Sequence, residues 1–144
     1  MNATEIIPGL WQGGQMLPFL DRSYGAVVDM RLLEDMALPL DPATFNQNGP
    51  LLLWCPMVDA PVMPDQLKVT LCAFFCSYVI DEIKGRTVLV HCAEGFNRSG
   101  LVVATFLVLC RDMKPDDAIA LIQQKRPGAL SNQTFCEFIR GLRK

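Results

Sequence analysis

The sequence predicts an α/β fold: a central, mostly parallel sheet of four to five strands, flanked by helices on both faces, with an anion-binding loop between one strand and the next helix. Short continuous apolar runs, bounded by Gly, Pro or charge, alternate with longer apolar stretches of helical length. Such short runs suit strands buried on both faces. One of them, Thr87-Val88-Leu89-Val90, leads directly into His91-Cys92-Ala93-Glu94-Gly95-Phe96-Asn97-Arg98-Ser99-Gly100, and a long apolar stretch follows. Strand, tight loop and helix N-terminus in that order make a site for a small anion.

Each element has its own signal. Residues 9–14 read as a short strand ending in a glycine turn, and residues 25–30 as a buried strand with Arg31 at its C-terminal end. Residues 51–55 and 87–91 are the third and fourth strands. A long helix is expected over 65–84, after Pro64 and before Gly85. A second, over 99–113, follows the loop. A third, over 115–125, opens on Pro-Asp-Asp and stops before Pro127-Gly128, and a fourth covers 131–142. In such a sheet, ligands bind at the C-terminal ends of the strands. That edge collects Arg31, the segment after Cys55, and Cys92.

The composition bounds the rest. The chain of 144 residues fits one domain, 1–144, with a single core, and its apolar fraction of 51% is that of a folded protein. A net charge of −2 lacks the basic surplus of a nucleic-acid binder. The basic end Arg140, Arg143 and Lys144 is read as a solvated helix terminus. The longest apolar runs fall short of the roughly 20 residues of a membrane span, and the first residues lack the form of a signal peptide. The expectation is therefore a cytoplasmic monomer with no nucleic-acid or membrane partner. Of the six cysteines, none forms a C-x-x-C pair, which disfavours zinc or thioredoxin-like chemistry. Cys72 and Cys76 are expected in the core. The lone His91 cannot build a multi-histidine metal site.

The loop carries the chemistry. A cysteine nucleophile must be the thiolate, and a helix N-terminus with an adjacent guanidinium is the kind of surrounding that favours it. The same groups solve a second problem, because a phosphate dianion repels a thiolate unless donors hold its oxygens. The backbone N–H groups of Ala93, Glu94, Gly95, Phe96, Asn97, Arg98 and Ser99 can form that cradle, and Arg98 can grip two oxygens in a fork. Gly95 allows a backbone turn that other residues would strain. Ser99 either caps the helix or donates to the sulfur as the phosphoryl group leaves. Phe96 either walls the pocket or joins the core. Arg31 either lines the substrate groove or sits in a structural ion pair.

The pattern His-Cys-x-x-Gly-x-x-Arg-Ser-Gly, at His91 to Gly100, resembles the signature of the cysteine-dependent protein tyrosine phosphatase superfamily, in its small dual-specificity-like branch. Pro8-Gly9-Leu10-Trp11-Gln12-Gly13-Gly14 resembles that family's opening strand. Arg126-Pro127, followed by Asn132 and Phe135, resembles the segment that packs under its loop. The resemblance implies that Cys92 attacks phosphorus, that Arg98 holds the phosphoryl oxygens, and that a separate aspartic acid first protonates the leaving oxygen and then activates water. It implies neither metal nor cofactor. His91, Asn132 and Arg31 are carried as supporting residues.

Asp59 is the aspartate expected to act. It follows the strand ending at Cys55, lies on the ligand edge, and precedes Cys92 by 33 residues, which resembles the family's spacing. Its rival, Asp65, stands where a helix cap explains it. Glu94 departs from relatives that act on polyphosphorylated lipids, which tend to carry lysines in this loop. It disfavours multiply charged ligands by a modest amount. The short chain leaves a shallow pocket, expected to admit phosphoserine and phosphothreonine as well as phosphotyrosine. The alternatives are a phosphate-binding module with weak turnover and a phosphatase of a non-protein phosphomonoester. Rhodanese-like loops are usually shorter between Cys and Arg. The arsenate reductase group places its cysteine near the N-terminus, unlike Cys92.

Overall fold

The computed structural model describes residues 2–14, 24–35, 50–83 and 86–142. Five strands form one mixed sheet: β1 (Ala3–Ile7), β2 (Leu10–Gly13), β3 (Ala26–Asp29), β4 (Leu51–Trp54) and β5 (Val88–His91), in the spatial order β1-β2-β5-β3-β4. β1 and β2 form an antiparallel hairpin about Pro8-Gly9, and Gly9 takes a φ of +88° there. The other pairings are parallel and keep an unbroken register, with Ala26 opposite both Leu51 and Val88. β5 is central, so the strand that feeds the loop is paired on both sides.

The pleat splits each inner strand between two clusters. Ala26, Val28, Val88 and Val90 face the main core, while Val27 and Leu89 join Ala3, Trp11 and Tyr24 on the opposite face. Among the described residues, four α-helices supply most of the rest of the main core: α1 (Gln66–Ser77), α2 (Arg98–Arg111), α3 (Pro115–Lys125) and α4 (Gln133–Arg140). In α2 every residue from Arg98 to Val108 is buried, which is what a helix apolar on all sides requires. α1 presents Val69, Cys72, Ala73 and Cys76 to that core. Burial pushes the Cys72 thiol up to about 12, as expected of a packing cysteine. None of the described helices is long and apolar enough to cross a membrane.

Several boundaries differ from the sequence reading. β1 had no element assigned to it. The helix expected over 65–84 is α-helical only to Ser77 and continues as a π-helical turn, Tyr78–Glu82; Lys84 and Gly85 lie outside the described residues. Asp65 is its N-cap, accepting from Leu67 N at 3.0 Å and Lys68 N at 3.3 Å. A 3-10 turn, Leu33–Asp35, follows β3 on the ligand edge and had no counterpart in the expected elements.

Candidate active site

β5 delivers His91 to the ligand edge, and residues 92–97 turn back before α2 begins at Arg98. The turn is tied from behind through its carbonyls. Gln12 Nε2 donates to Gly95 O at 3.0 Å, and Arg126 Nε donates to the same oxygen at 2.6 Å. Arg126 Nη2 also donates to Glu94 O at 3.2 Å, while its guanidinium lies 5.1 Å from the centre of the Phe96 ring. Leu130 N donates to Phe96 O at 3.1 Å. Carbonyls fixed in this way leave peptide N–H groups for the concave side. Gly95 takes a φ of +80°, and a Cβ there would fall 2.4 Å from Gly13 C and Gly14 N. Only glycine fits.

Inside the turn, Cys92 is 2% exposed. Gly95 N donates to its Sγ at 3.3 Å, and Ser99 Oγ lies 3.5 Å from the sulfur. Ser99 is therefore not a helix cap. The helix starts one residue earlier than expected, Ser99 is its second residue, and Asn97 holds the cap position without a capping side-chain bond. The Asn97 side chain instead turns outward. Its Nδ2 donates to Asp59 Oδ2 at 3.0 Å, and its Oδ1 accepts from Asn132 N at 2.9 Å.

Arg98 is 7% exposed. Its Nη1 donates to Asp35 Oδ2 at 2.7 Å and to Met57 O at 2.9 Å, while its Nε is buried with no partner among the described residues. The guanidinium is thus anchored along one edge and leaves its Nε side for a ligand. A buried, unpaired N–H costs free energy, so it marks a place where an acceptor belongs. Asp35 had not been singled out in the sequence. The hydrogen bond from Arg98 holds its carboxyl below the usual carboxylate range. The available signal was its place, an acid just past a strand end on the ligand edge.

Asp59 is exposed but tethered. Besides Asn97, Asn132 Nδ2 donates to its Oδ1 at 2.9 Å. The structure thus brings Cys92, Arg98, Ser99, Asn97, Asp59 and Asn132 to one edge. Arg31 is not among them. It is 1% exposed, and it forks onto Asp29 through Nε to Oδ1 at 3.0 Å and Nη2 to Oδ2 at 2.9 Å. This corrects the groove option, because a buried guanidinium needs its counter-charge and is spent on it. Phe96 packs against the main core and under Arg126, so it supports the loop rather than facing outward. Ala93 is half-buried, and Glu94 is exposed at the rim. Among the described residues no group of His, Cys, Asp and Glu is arranged to hold a metal ion.

His91 is 1% exposed, and its Nε2 lies 3.5 Å from Asp29 Oδ1. Burial, partly opposed by Asp29, pushes the imidazole down to about 4, so it is neutral at pH 7. An unfolded histidine titrates near 6.5. Between these values the unfolded chain binds the extra proton, and stability rises with pH. This contribution is complete above about pH 6.5 and is lost as pH falls towards about 4, an effect on the order of 3 kcal/mol. Urea midpoints should therefore fall more steeply with acidification in the wild type than in His91→Asn. Parallel curves would show that the buried ring does not resist protonation.

The family model described as the dual specificity phosphatase catalytic domain matches residues 35–144. Dual specificity protein phosphatase 12 from Rattus norvegicus is 29% identical over 137 residues, covering 93% of this chain and 39% of the relative. Protein tyrosine phosphatase type IVA 3 from Homo sapiens is 33% identical over 126 residues, covering 83% of this chain and 67% of the relative. The chain therefore spans about two fifths of the length of the rat relative. Among solved structures, the active form of Tk-PTP superposes with a TM-score of 0.83 at 24% identity, covering 96% of this chain and 94% of that one. PTPMT1 in complex with PI(5)P gives 0.82 at 20% identity, covering 97% and 93%. At those identities the likeness is one of fold. Taken with the match over most of its length, the loop from His91 to Gly100 places this chain in the dual specificity phosphatase catalytic-domain family.

Proposed function

We propose that this chain hydrolyses phosphomonoesters through a cysteinyl-phosphate intermediate, acting on phosphotyrosine and on phosphoserine and phosphothreonine of proteins. The observation that carries the reading is the buried Nε of Arg98, unpartnered among the described residues, at the exit of a loop whose entrance holds Cys92. In the first step the Cys92 thiolate attacks phosphorus, the P–O bond breaks, and Asp59 gives its proton to the leaving oxygen. Arg98 and the N–H groups of Ala93, Glu94, Gly95, Phe96, Asn97 and Ser99 hold the three equatorial oxygens, where charge spreads in the transition state. In the second step water attacks phosphorus and gives a proton to the Asp59 carboxylate. The P–S bond breaks, and sulfur leaves as thiolate beside Ser99 Oγ. Inorganic phosphate departs and Asp59 is protonated again.

Glu94, exposed at the rim, favours a substrate with one phosphate over a polyanion. Acid quenching during turnover of a radiolabelled phosphotyrosyl peptide should trap label on the protein, and mass spectrometry should place it on Cys92. Fast hydrolysis with no trapped label, or label on another residue, would rule out the covalent route. Parallel phosphoseryl and phosphothreonyl peptides should be hydrolysed, and failure of both would narrow the substrate class to aryl esters.

A further inference from the structure

The segment that bears Asp59 has no helix or strand of its own. Between β4 and α1 its backbone bonds include Cys55 N to Asp29 O, Met57 N to Met30 O and Val62 N to Ala60 O, none of which involves the Asp59 peptide. An exposed aspartate on such a stretch samples many rotamers, and few of them present a proton to a leaving oxygen. Its position is set by side chains, and one of these is Asn132, at the start of α4. Asn132 Nδ2 donates to Asp59 Oδ1 at 2.9 Å and to Ala60 O at 2.9 Å. Its Oδ1 does something different, accepting from Phe135 N at 3.2 Å as the cap of α4. Its backbone N–H donates to Asn97 Oδ1 at 2.9 Å, joining it to the phosphate loop.

The two ends of one carboxamide thus serve separate purposes, and chemistry can separate them. The oxygen belongs to helix stability. The nitrogen belongs to the acid loop, and it reaches Asp59 from an element already fixed by the core. We infer that Asn132 is a positioning residue for the proton-transfer steps: its amide nitrogen clamps the acid segment over the phosphate loop before substrate arrives. The inference rests on the reading of Asp59 as the acid. It implies an acid segment that is pre-set rather than closed by each substrate.

Asn132→Ser separates the two roles, because a serine hydroxyl caps a helix but is too short to hold Asp59. Two esters provide the readout: phenyl phosphate, whose leaving group needs a proton, and a dinitrophenyl phosphate, whose leaving group does not. Asn132→Ser should lower kcat on phenyl phosphate about tenfold and leave the dinitrophenyl ester within about twofold. Its thermal midpoint should stay close to that of the wild type. In an Asp59→Asn background the same change should add less than about twofold on phenyl phosphate, since its only path runs through Asp59. Asn132→Thr gives the same comparison if the serine variant folds poorly. Equal losses on both esters, or losses that multiply in the double variant, would overturn the positioning role. If Asp59→Asn itself slows both esters equally, the acid assignment fails and this inference fails with it. If Asp59→Asn discriminates between the esters and Asn132→Ser does not, only the clamp is wrong.

Discussion

Cys92→Ser is expected to lower turnover of any phosphomonoester by at least about 10⁴-fold while leaving binding of phosphate almost intact. The asymmetry follows from how the loop is built. The ties that hold it from behind run from Gln12, Arg126 and Leu130 to the carbonyls of Glu94, Gly95 and Phe96, and the sulfur adds only the bond it accepts from Gly95 N and its contact with Ser99 Oγ. A serine oxygen is smaller than the sulfur it replaces and keeps Gly95 N and Ser99 Oγ as neighbours, so the cradle survives. What is lost is the nucleophile, because a serine hydroxyl is not ionised at neutral pH and the described residues of the site offer it no adjacent base. The only histidine, His91, is buried beside Asp29 and neutral. Steady-state assays and calorimetry with inorganic phosphate together check the claim. A serine variant that retained more than a few per cent of activity would mean that the sulfur does not attack phosphorus. One that lost both activity and phosphate binding would mean that Cys92 builds the loop rather than serving it.

What the sequence disclosed and what it hid divide along chain distance. Cys92, Gly95, Arg98 and Ser99 lie within one turn, so their relation is written in consecutive residues. The strands 25–30 and 87–91 were legible for a similar reason, since a buried parallel strand is a short apolar run with clear punctuation. The run 51–55 gave the same signal, yet β4 is the edge strand and leaves Leu51, Leu52 and Trp54 exposed, so it is not buried on both faces. β1 was not legible, because Ala-Thr-Glu-Ile-Ile is too short and too mixed to stand out until β2 pairs with it. The partners of the loop were further still. Asp35 meets Arg98 across 63 positions, and Asn132 meets Asp59 across 73. No local spacing rule reaches that far. Arg31 shows the converse difficulty. At a strand end on the ligand edge it had the right address for a substrate contact, yet Asp29, two residues before it, takes its charge into the interior. Asn97 stands at the cap position of α2 in the structure, but its side chain reaches Asp59, 38 positions away, instead of capping the helix.

Arg98→Lys should lower kcat/KM by about 10³-fold although the charge is kept. Charge alone is not what the site arranges. Asp35 Oδ2 at 2.7 Å and Met57 O at 2.9 Å take Nη1, which fixes the plane of the guanidinium and leaves its Nε without a partner among the described residues. A lysine ammonium placed there can satisfy Asp35 or follow the phosphoryl oxygens, but a point charge cannot serve both edges of a plane. With a carboxylate already waiting, and held ionised by its present partner, the ammonium should settle on Asp35. The loss should therefore fall on kcat more than on KM, because the missing fork matters most where oxygen charge grows in the transition state. Asp35→Asn combined with Arg98→Lys gives the decisive comparison. Freed from the ion pair, the lysine should recover part of the activity, although Asp35→Asn alone slows the enzyme by loosening Arg98. A double variant slower than both single variants would show that Asp35 acts on the substrate by some route other than Arg98.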